Sequence, residues 1–374
     1  MGYNRKLLFV NPAPNWNTPE GALGTINNNT AITPIQLSAP VRPVGTNESV
    51  TYAVTSGALP TGLSLSSGGE ITGTPTGYSS QTTVNFSITA TDSTGDTSTR
   101  NFNFIVAVIY SIDFLVVAGG GGAGYDVGGG GGAGGLRTSY GATSGGGASS
   151  ESALSVFAGN VYIINVGNGG ASSPNTSNKG SSGGNSFISL NGTALIESLG
   201  GGGGGSYPSL GPGLNGGSGG GGGHNGFSGG AGTAGQGYAG GSSSATAYGS
   251  GGGGGAGGAG SNGVASNQVA GGAPLAVSIT GSSVNYAGGG YGNADSGAVN
   301  GTGYNTSNSF VGYYGFGANG TGAPNANPNS GANGIVILRM PTVSYSGIIT
   351  GSPGVATSGS DTILTYTGSG TYTA

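Results

Sequence analysis

Alternating apolar and polar residues predict β strands in the first third of the chain. Segments 50–54, 84–90 and 101–108 each place apolar side chains at every second position. Turn-forming residues bound these segments, at intervals typical of a β-sandwich. They are glycine, asparagine, aspartate, serine and proline. The i, i+3, i+4 apolar spacing of an amphipathic helix is not sustained anywhere in the sequence. The pattern therefore predicts an all-β chain with an Ig-like β-sandwich over residues 31–110.

The pattern changes at residue 118, where the apolar strand 112–118 runs directly into glycine. Glycine makes 91 of the 374 residues. Its long runs are 119–122, 128–132, 200–205, 219–223 and 251–255. Apolar strands interrupt the block at 161–166 and 186–190, which a disordered linker would not contain. Collagen is excluded because the sequence has no strict Gly-X-Y period.

The ordered alternative for these runs is polyglycine II, a helix with three residues per turn and a rise of about 3.1 Å per residue. This helix makes no internal hydrogen bonds, so every N–H and C=O must find a partner on a neighbouring run. Because glycine has no side chain, such helices can pack side by side, parallel or antiparallel. The sequence therefore predicts a glycine-rich domain of packed polyglycine II helices with flanking β-strands over 111–341, with its connections gathered at two ends.

Composition excludes several classes of function. Charged residues make 5% of the chain and the net charge is −4, so we expect neither nucleic acid nor a membrane as a partner. Cysteine is absent, which excludes disulfides and thiol chemistry. The apolar run 7–10 is too short for the core of a signal peptide. We expect synthesis in the cytoplasm of the cell that makes the protein.

The sequence contains no recognisable catalytic set, so we expect no enzyme and no cofactor. The carboxylates between residues 119 and 334 are Asp126, Glu151, Glu197 and Asp295, and no two have a spacing suited to acid–base catalysis. We also expect no metal site. Asp92 and Asp96 are weak candidates for calcium ligands, and a hairpin turn explains the same residues.

Aromatic residues of the glycine block concentrate in short inserts between the runs. Tyrosine and phenylalanine on such loops suit stacking on sugar rings, with asparagine and serine supplying hydrogen bonds. The alternative is that the rings cap the bundle ends or pack between subunits. The candidate receptor-binding residues are Tyr207, Phe227, Tyr238, Tyr248, Tyr291, Tyr304, Asn305, Phe310, Tyr313, Tyr314 and Phe316. His224, the single histidine, is expected to be a solvated loop residue, and Trp16, the single tryptophan, a plug packed on the following domain.

Two stretches resemble known families. Leu59–Leu65 followed by Gly69–Thr76 resembles the Ig-like, cadherin-like modules of bacterial surface proteins and phage fibres, which usually act as spacers. The strand-to-glycine junction Ile112–Gly124, the segment Val161–Gly170 and the closing segment Gly331–Arg339 together resemble the glycine-rich domain of fibre and adhesin proteins of tailed phages, of the marine and cyanobacterial type.

The phage resemblance implies a virion protein made in the host cytoplasm and exposed on the extracellular particle. It implies a tail fibre or other appendage, assembled with itself as a homotrimer, whose loops bind a host surface polysaccharide or protein. Residues 1–30 would be a leader that attaches to other virion proteins. A capsid decoration or head-fibre protein without a dedicated receptor is the alternative, and a bacterial surface matrix protein is a further one.

One segment departs from the family pattern. Residues 342–374 include a strand-like sequence, 362–372, that usually precedes the strand at 112–118 in that family. At the C-terminus it can complete a sheet of its own chain or dock on a neighbouring subunit. We expect a C-terminal β-hairpin segment that finishes the assembly.

Overall fold

The computed structural model describes residues 13–41, 49–175, 177–208, 210–245, 248–264, 267–294, 314–320 and 330–374. Within these ranges the chain is all-β, as the alternation predicts, and contains no α-helix. Single-turn 3₁₀ helices occur at Gly145–Gly147 and Thr342–Ser344. The chain divides into two compact units, one of residues 1–110 with 157–159 and one of residues 111–156 with 160–374.

The first unit consists of two sheets that enclose an apolar core. Its strands are β1 (Gly21–Asn27), β2 (Ile35–Gln36), β3 (Val50–Gly57), β4 (Leu63–Leu65), β5 (Glu70–Gly73), β6 (Thr82–Asp92) and β7 (Thr97–Ala107). One sheet has the order β1-β7-β6-β3 and the other β2-β5-β4. The inward residues of β6 and β7, such as Ile88 and Phe104, are fully buried because every second side chain of a strand faces the same side.

Residues of the predicted leader take part in this sandwich. β1 pairs in parallel with β7, so the sandwich begins before the predicted boundary at residue 31. Trp16 is 6% exposed and packs edge-to-face against Tyr52 and Phe102. Its indole N–H donates to the carbonyl of Ser98 at 3.2 Å. Trp16 is thus the plug that the sequence predicts.

The second unit combines β sheets with the glycine runs. Its strands are β8 (Ile109–Val117), β9 (Leu136–Thr138), β10 (Leu154–Phe157), β11 (Val161–Asn165), β12 (Ser186–Leu190), β13 (Thr193–Ser198), β14 (Leu275–Val277), β15 (Val284–Tyr286), β16 (Ile335–Pro341), β17 (Ile349–Thr350), β18 (Gly354–Ser358), β19 (Asp361–Tyr366) and β20 (Gly370–Thr373). One sheet has the order β10-β8-β16-β19-β18 with β9 also on β8, a second the order β13-β12-β11-β20-β17, and β14 pairs with β15.

The C-terminal segment joins both larger sheets of its own chain. The hairpin β18–β19 extends the first sheet through β16, and β20 pairs with β11 in the second. Tyr366 and Tyr372, one from each of these strands, are fully buried. Of the two arrangements open at the sequence level, the chain therefore adopts the one in which the segment completes its own sheets.

The glycine runs bond to one another through their backbones with a period of three. In the run 128–135, Gly129, Gly132 and Gly135 donate to the run 199–205, at 2.8 Å each. One residue further along, Gly130 and Ala133 donate to a second neighbour, the run that contains Gly251 and Gly254. The remaining two, Gly131 and Gly134, donate to a third neighbour, at Ala318 and Gly315. Successive N–H groups thus point to three different neighbours and return to the first after three residues.

Carbonyl groups of the same run accept from other neighbours. Gly132 accepts from Gly121, Ala133 accepts from Ser218, and Gly131 accepts from Gly290. Run 128–135 is therefore surrounded by glycine-rich backbone on all sides. This period of three is what the prediction of polyglycine II helices requires, and the helix type itself stays a prediction.

Close packing of the runs leaves no room for a side chain at most of their glycine positions. A Cβ added to Gly203 would lie 1.7 Å from the carbonyl oxygen of Gly180, and one added to Gly122 would lie 1.9 Å from that of Ala171. Both distances are far below van der Waals contact. The glycine content is thus a steric requirement of the bundle.

Candidate functional site

The bundle has two chemically different ends. At one, the runs continue into β strands, with Gly135 bonded to Leu199 and Gly217 to Gly200; we call it the strand end. At the other, the runs are joined by tight loops; we call it the loop end. The described loops at this end include 125–127, 206–208 with 210–211, 223–227, and 243–245 with 248–249.

Backbone hydrogen bonds connect these loops. The N–H of Tyr207 donates to the carbonyl of Tyr125 at 3.3 Å, and that of His224 donates to Val127 at 3.2 Å. Gly226 donates to Ser244 at 3.0 Å, which links the third loop to the fourth. The loop end is therefore one continuous surface and not a set of separate turns.

Three rings meet at the loop end. The ring of His224 stacks on that of Tyr248, with centroids 4.6 Å apart and planes at 28°. Tyr207 lies on His224 at 5.0 Å and 52°. We call these residues the Tyr–His–Tyr cluster. Tyr248 is 48% exposed, so the cluster presents one open aromatic ring to solvent.

His224 is the buried centre of the cluster. It is only 8% exposed, and its Nδ1 is buried without a hydrogen-bond partner among the described residues. The expectation of a solvated loop histidine is therefore wrong. The cause is that the narrow glycine runs bring the loops of Tyr207 and Tyr248 close enough to cover the imidazole. Burying Nδ1 without a hydrogen-bond partner lowers the stability of the fold. The packing around the imidazole must therefore offset this cost.

Phe227 lies beside the cluster and is half-buried. Its N–H donates to Ser243 Oγ at 2.8 Å, and its carbonyl accepts from the Ser243 N–H at 2.9 Å. Its ring covers Gly211, where an added Cβ would lie 1.6 Å from Phe227 Cδ2. Phe227 therefore joins the loop 223–227 to both neighbouring loops.

Three other candidates, Tyr238, Tyr314 and Phe316, lie away from the loop end. Tyr238 is half-buried at the strand end, where its N–H donates to Gly255 at 3.0 Å. Phe316 is 2% exposed with its ring against Gly288, and Tyr314 packs on the apolar core near Tyr286. Burial raises the pKa of Tyr286 to about 12.

These positions change the set of receptor-binding candidates. Phe316 is corrected from a receptor contact to a core residue, because its ring has almost no exposed surface. Tyr291 is half-buried at the loop end, and its N–H donates to Asn319 Oδ1 at 3.0 Å. Tyr304, Asn305, Phe310 and Tyr313 lie outside the described residues. The structure thus gathers Tyr207 and Tyr248 around a histidine and places Phe227 alongside.

Asp92 and Asp96 form a turn. Asp92 Oδ1 accepts the N–H groups of Thr94 and Asp96, both at 2.9 Å, and the Thr94 hydroxyl at 2.8 Å. Burial alone would raise the pKa of Asp92, but the hydrogen bonds from Thr94, Asp96 and Gly95 lower it below its ordinary value. Across the described part of the chain, no group of three or more His, Asp or Glu side chains is placed to hold a metal ion.

Two ion pairs lie near the bundle: one joins β9 to the segment before β10, and the other joins β16 to β19. Arg137 binds both carboxylate oxygens of Glu151, with 2.7 Å from Nε to Oε1. Arg339 donates from Nε to Asp361 Oδ2 at 2.8 Å and lies over the ring of Tyr140. Each of these charged groups has a structural partner.

Within the described residues, no helix is long and apolar enough to cross a membrane.

Sequence reasoning missed the two residues that complete the loop end, His224 and Tyr125. Both follow glycine at the point where a run ends, in Gly223-His224 and Gly124-Tyr125. A bulky ring directly after a glycine run is a local pattern that could have identified them. Their contacts, in contrast, depend on which loops converge.

Comparison with known families gives two matches. A glycine-rich domain model matches residues 96–341, and an Ig domain model matches residues 17–107. The Ig match begins before β1, in agreement with the part that β1 plays in the sandwich. No curated protein matches the chain significantly.

Proposed function

The chain belongs to the glycine-rich domain family, and from this premise we propose that it is a virion structural protein of a tailed phage that binds host-surface glycans through its loop end. The observation that carries the proposal is the exposed ring of Tyr248, fixed from behind by His224. A rigid, half-open aromatic ring is suited to stacking against the C–H face of a pyranose. We propose a binding role and no catalytic one.

The surroundings of the cluster favour an uncharged saccharide. The loops 206–211, 223–227 and 243–249 contain no Lys, Arg, Asp or Glu. Among the described residues of the adjoining loops, Asp126 and Lys179 carry opposite charges. Lys179 belongs to this end because Ser173 donates to Ala123 at 2.9 Å and Gly180 donates to Gly204 at 3.0 Å, so neither an anionic nor a cationic polymer is favoured. Asn225 is exposed in the loop of His224 and can supply hydrogen bonds to sugar hydroxyls.

The remaining parts would support this display. We propose that the glycine runs are polyglycine II helices, which is supported by the period of three in their hydrogen bonds. They would form a stiff rod without charge or exposed loops along its sides. The Ig-like unit would act as a spacer, the N-terminal residues would contact other virion proteins, and the assembly would be a homotrimer by resemblance to phage fibres.

A capsid decoration protein is the second candidate. It is favoured by the packing roles of Phe316, Tyr314 and Tyr238, which are aromatic residues of the block that do not face the loop end. Under this candidate the bundle would give the particle an uncharged exterior, and the Tyr–His–Tyr cluster would only close the end of the bundle.

Labelling of intact particles separates the two candidates. A gold-tagged antibody against the chain should mark the tips of tail fibres or appendages under the proposed function. Label distributed over the head would support the decoration protein instead. Label on bacterial cells and on no particle would contradict the virion assignment.

A further inference from the structure

Among the described residues, a two-point contact recurs three times at the edges of the glycine bundle. In each case an Asn-Gly pair holds one residue of a neighbouring run: the Asn Oδ1 accepts that residue's N–H, and the glycine N–H donates to the same residue's carbonyl. The three are Asn215–Gly216 on Ala231, Asn262–Gly263 on Ser242, and Asn319–Gly320 on Tyr291. In that order, the distances from the held N–H nitrogen to the Asn Oδ1 are 2.7, 2.9 and 3.0 Å. The distances from the glycine nitrogen to the held carbonyl oxygen are 3.2, 2.7 and 2.9 Å. We call this arrangement the Asn-Gly clamp.

The clamp solves a problem of the bundle edge. Inside the bundle each N–H donates to a carbonyl of an adjacent run, but at an edge the adjacent run ends and a carbonyl is missing. The carboxamide of asparagine supplies that acceptor, as a side-chain oxygen does at the N-terminus of an α-helix. Without it the N–H of the held residue would lose its protein partner.

Two clamps, those of Asn262 and Asn319, lie at the loop end, and the clamp of Asn262 holds the segment that leads to the aromatic cluster. Asn262 follows Ser261, whose carbonyl accepts from Gly252, and Gly263 lies against the carbonyl of Gly249. Ser242, the residue that it holds, directly precedes Ser243, which exchanges hydrogen bonds with Phe227. Ser244 donates to the carbonyl of Gly249 at 2.9 Å, so the described residue next to Tyr248 is bonded to the segment that the clamp holds.

The clamp of Asn215 lies at the opposite end. Gly217, two residues after Asn215, donates to Gly200 beside the strands. The same pair of hydrogen bonds is thus present near the strand end, away from the Tyr–His–Tyr cluster. This provides a natural comparison for the clamp of Asn262.

We propose that Asn262 is a positioning residue for ligand binding: by holding Ser242 it fixes the loop that presents Tyr248 on His224. The ligand half of this proposal rests on the proposed function, and the positioning half does not. Asn262 itself need not touch the saccharide.

The single histidine of the chain gives a direct readout. The imidazole protons of His224 form one set of NMR resonances in the full-length protein without a histidine tag, and stacked tyrosine rings shift them upfield. Asn262→Ala should move these resonances toward the positions of an exposed imidazole and should accelerate amide exchange at Ser242 by about tenfold or more. Asn262→Asp, which keeps the acceptor oxygen, should restore wild-type behaviour.

Two variants serve as controls. Asn215→Ala should accelerate exchange at Ala231 and leave the His224 resonances unchanged. Asn168→Ala removes an exposed carboxamide from another Asn-Gly pair, Asn168–Gly169. Among the described residues this carboxamide has no hydrogen-bond partner, so the variant should change neither the His224 resonances nor the amide exchange at Ser242. Unchanged His224 resonances and Ser242 exchange in Asn262→Ala would overturn the positioning proposal, as would an equal effect of Asn215→Ala on His224.

Binding is measured on the same proteins with a panel of neutral oligosaccharides of glucose, galactose and N-acetylglucosamine. Asn262→Ala should weaken binding by about fivefold, the loss expected from one hydrogen bond, with Asn215→Ala near wild type. Equal binding by Asn262→Ala and wild type would contradict the ligand half. If the wild type binds none of these sugars, the proposed function fails, and the NMR comparison still decides the positioning half.

Discussion

His224 and Tyr248 stack with their ring centroids 4.6 Å apart, although 23 residues of mostly glycine, serine and alanine separate them in the sequence. The contact exists because the two loops meet at one end of a bundle in which the runs are held only by backbone hydrogen bonds. One ring is buried and the other is half-open, so the pair supports a ligand surface from behind.

Removing the exposed ring should affect the cluster more than the fold. Tyr248→Ala should shift the His224 ring resonances, because one of its two stacking partners is lost, and should lower the free energy of unfolding by only about 0.5–1.5 kcal/mol. NMR and denaturant unfolding on the same variant check both parts. Unshifted His224 resonances would mean that the rings do not stack in solution.

A single methyl group should disrupt the bundle interior. Gly203→Ala places a Cβ 1.7 Å from the carbonyl oxygen of Gly180, so we expect a loss of stability of about 3 kcal/mol or more. Gly368→Ala is the matched control, since its Cβ meets nothing within 4 Å. Equal unfolding midpoints for the two variants would show that the runs are not packed as described.

The C-terminal segment should be essential to the second unit. Tyr372→Ala removes a fully buried ring from β20 and should cost about 3–5 kcal/mol, by analogy with other buried aromatic residues. Val343→Ala, at a side chain that is 97% exposed, should be neutral. Thermal unfolding checks the pair, and a tolerated Tyr372→Ala would argue against pairing of β20 with β11 in the same chain.

Asp92 should make the first unit sensitive to acid. Its pKa is lowered in the folded state, so its contribution to stability is complete above the ordinary value of 3.8 and is lost as the pH falls from there through the folded value. Asp92→Asn should remove this part of the acid dependence, and Thr94→Val, which deletes one donor, should reduce it. Unfolding curves between pH 2 and 7 test this; identical pH dependence in wild type and Asp92→Asn would refute it.

Local patterns predicted the parts of the fold that depend on side-chain alternation. The apolar positions of 84–90 lie in β6, and the strand at 112–118 enters the glycine block without a linker, as the sequence indicates. β1 escaped notice because Gly21–Asn27 has few apolar residues and gains its place by pairing with β7. The sequence also left undecided which strands β19 and β20 pair with, because strand pairing is decided by residues far apart in the sequence.

The site was predictable only in part. The aromatic inserts indicated Tyr207, Phe227 and Tyr248, because the lateral hydrogen bonds of a glycine bundle require no aromatic ring. Their convergence on His224 depends on which runs are neighbours, and runs of glycine carry no sequence information about their neighbours. The same argument explains why Phe316 was mistaken for a loop residue: its ring is buried against Gly288, a contact that no local pattern indicates.

The most direct test of the account is the binding of the purified full-length chain to polysaccharide from the surface of host cells, measured for wild type, Tyr248→Ala and Tyr238→Ala. Tyr238 is a half-buried tyrosine at the strand end, so its variant controls for the loss of a ring as such. The account predicts that Tyr248→Ala weakens binding at least about tenfold while Tyr238→Ala binds like wild type. Equal binding by all three proteins would contradict the assignment of the loop end as the ligand site.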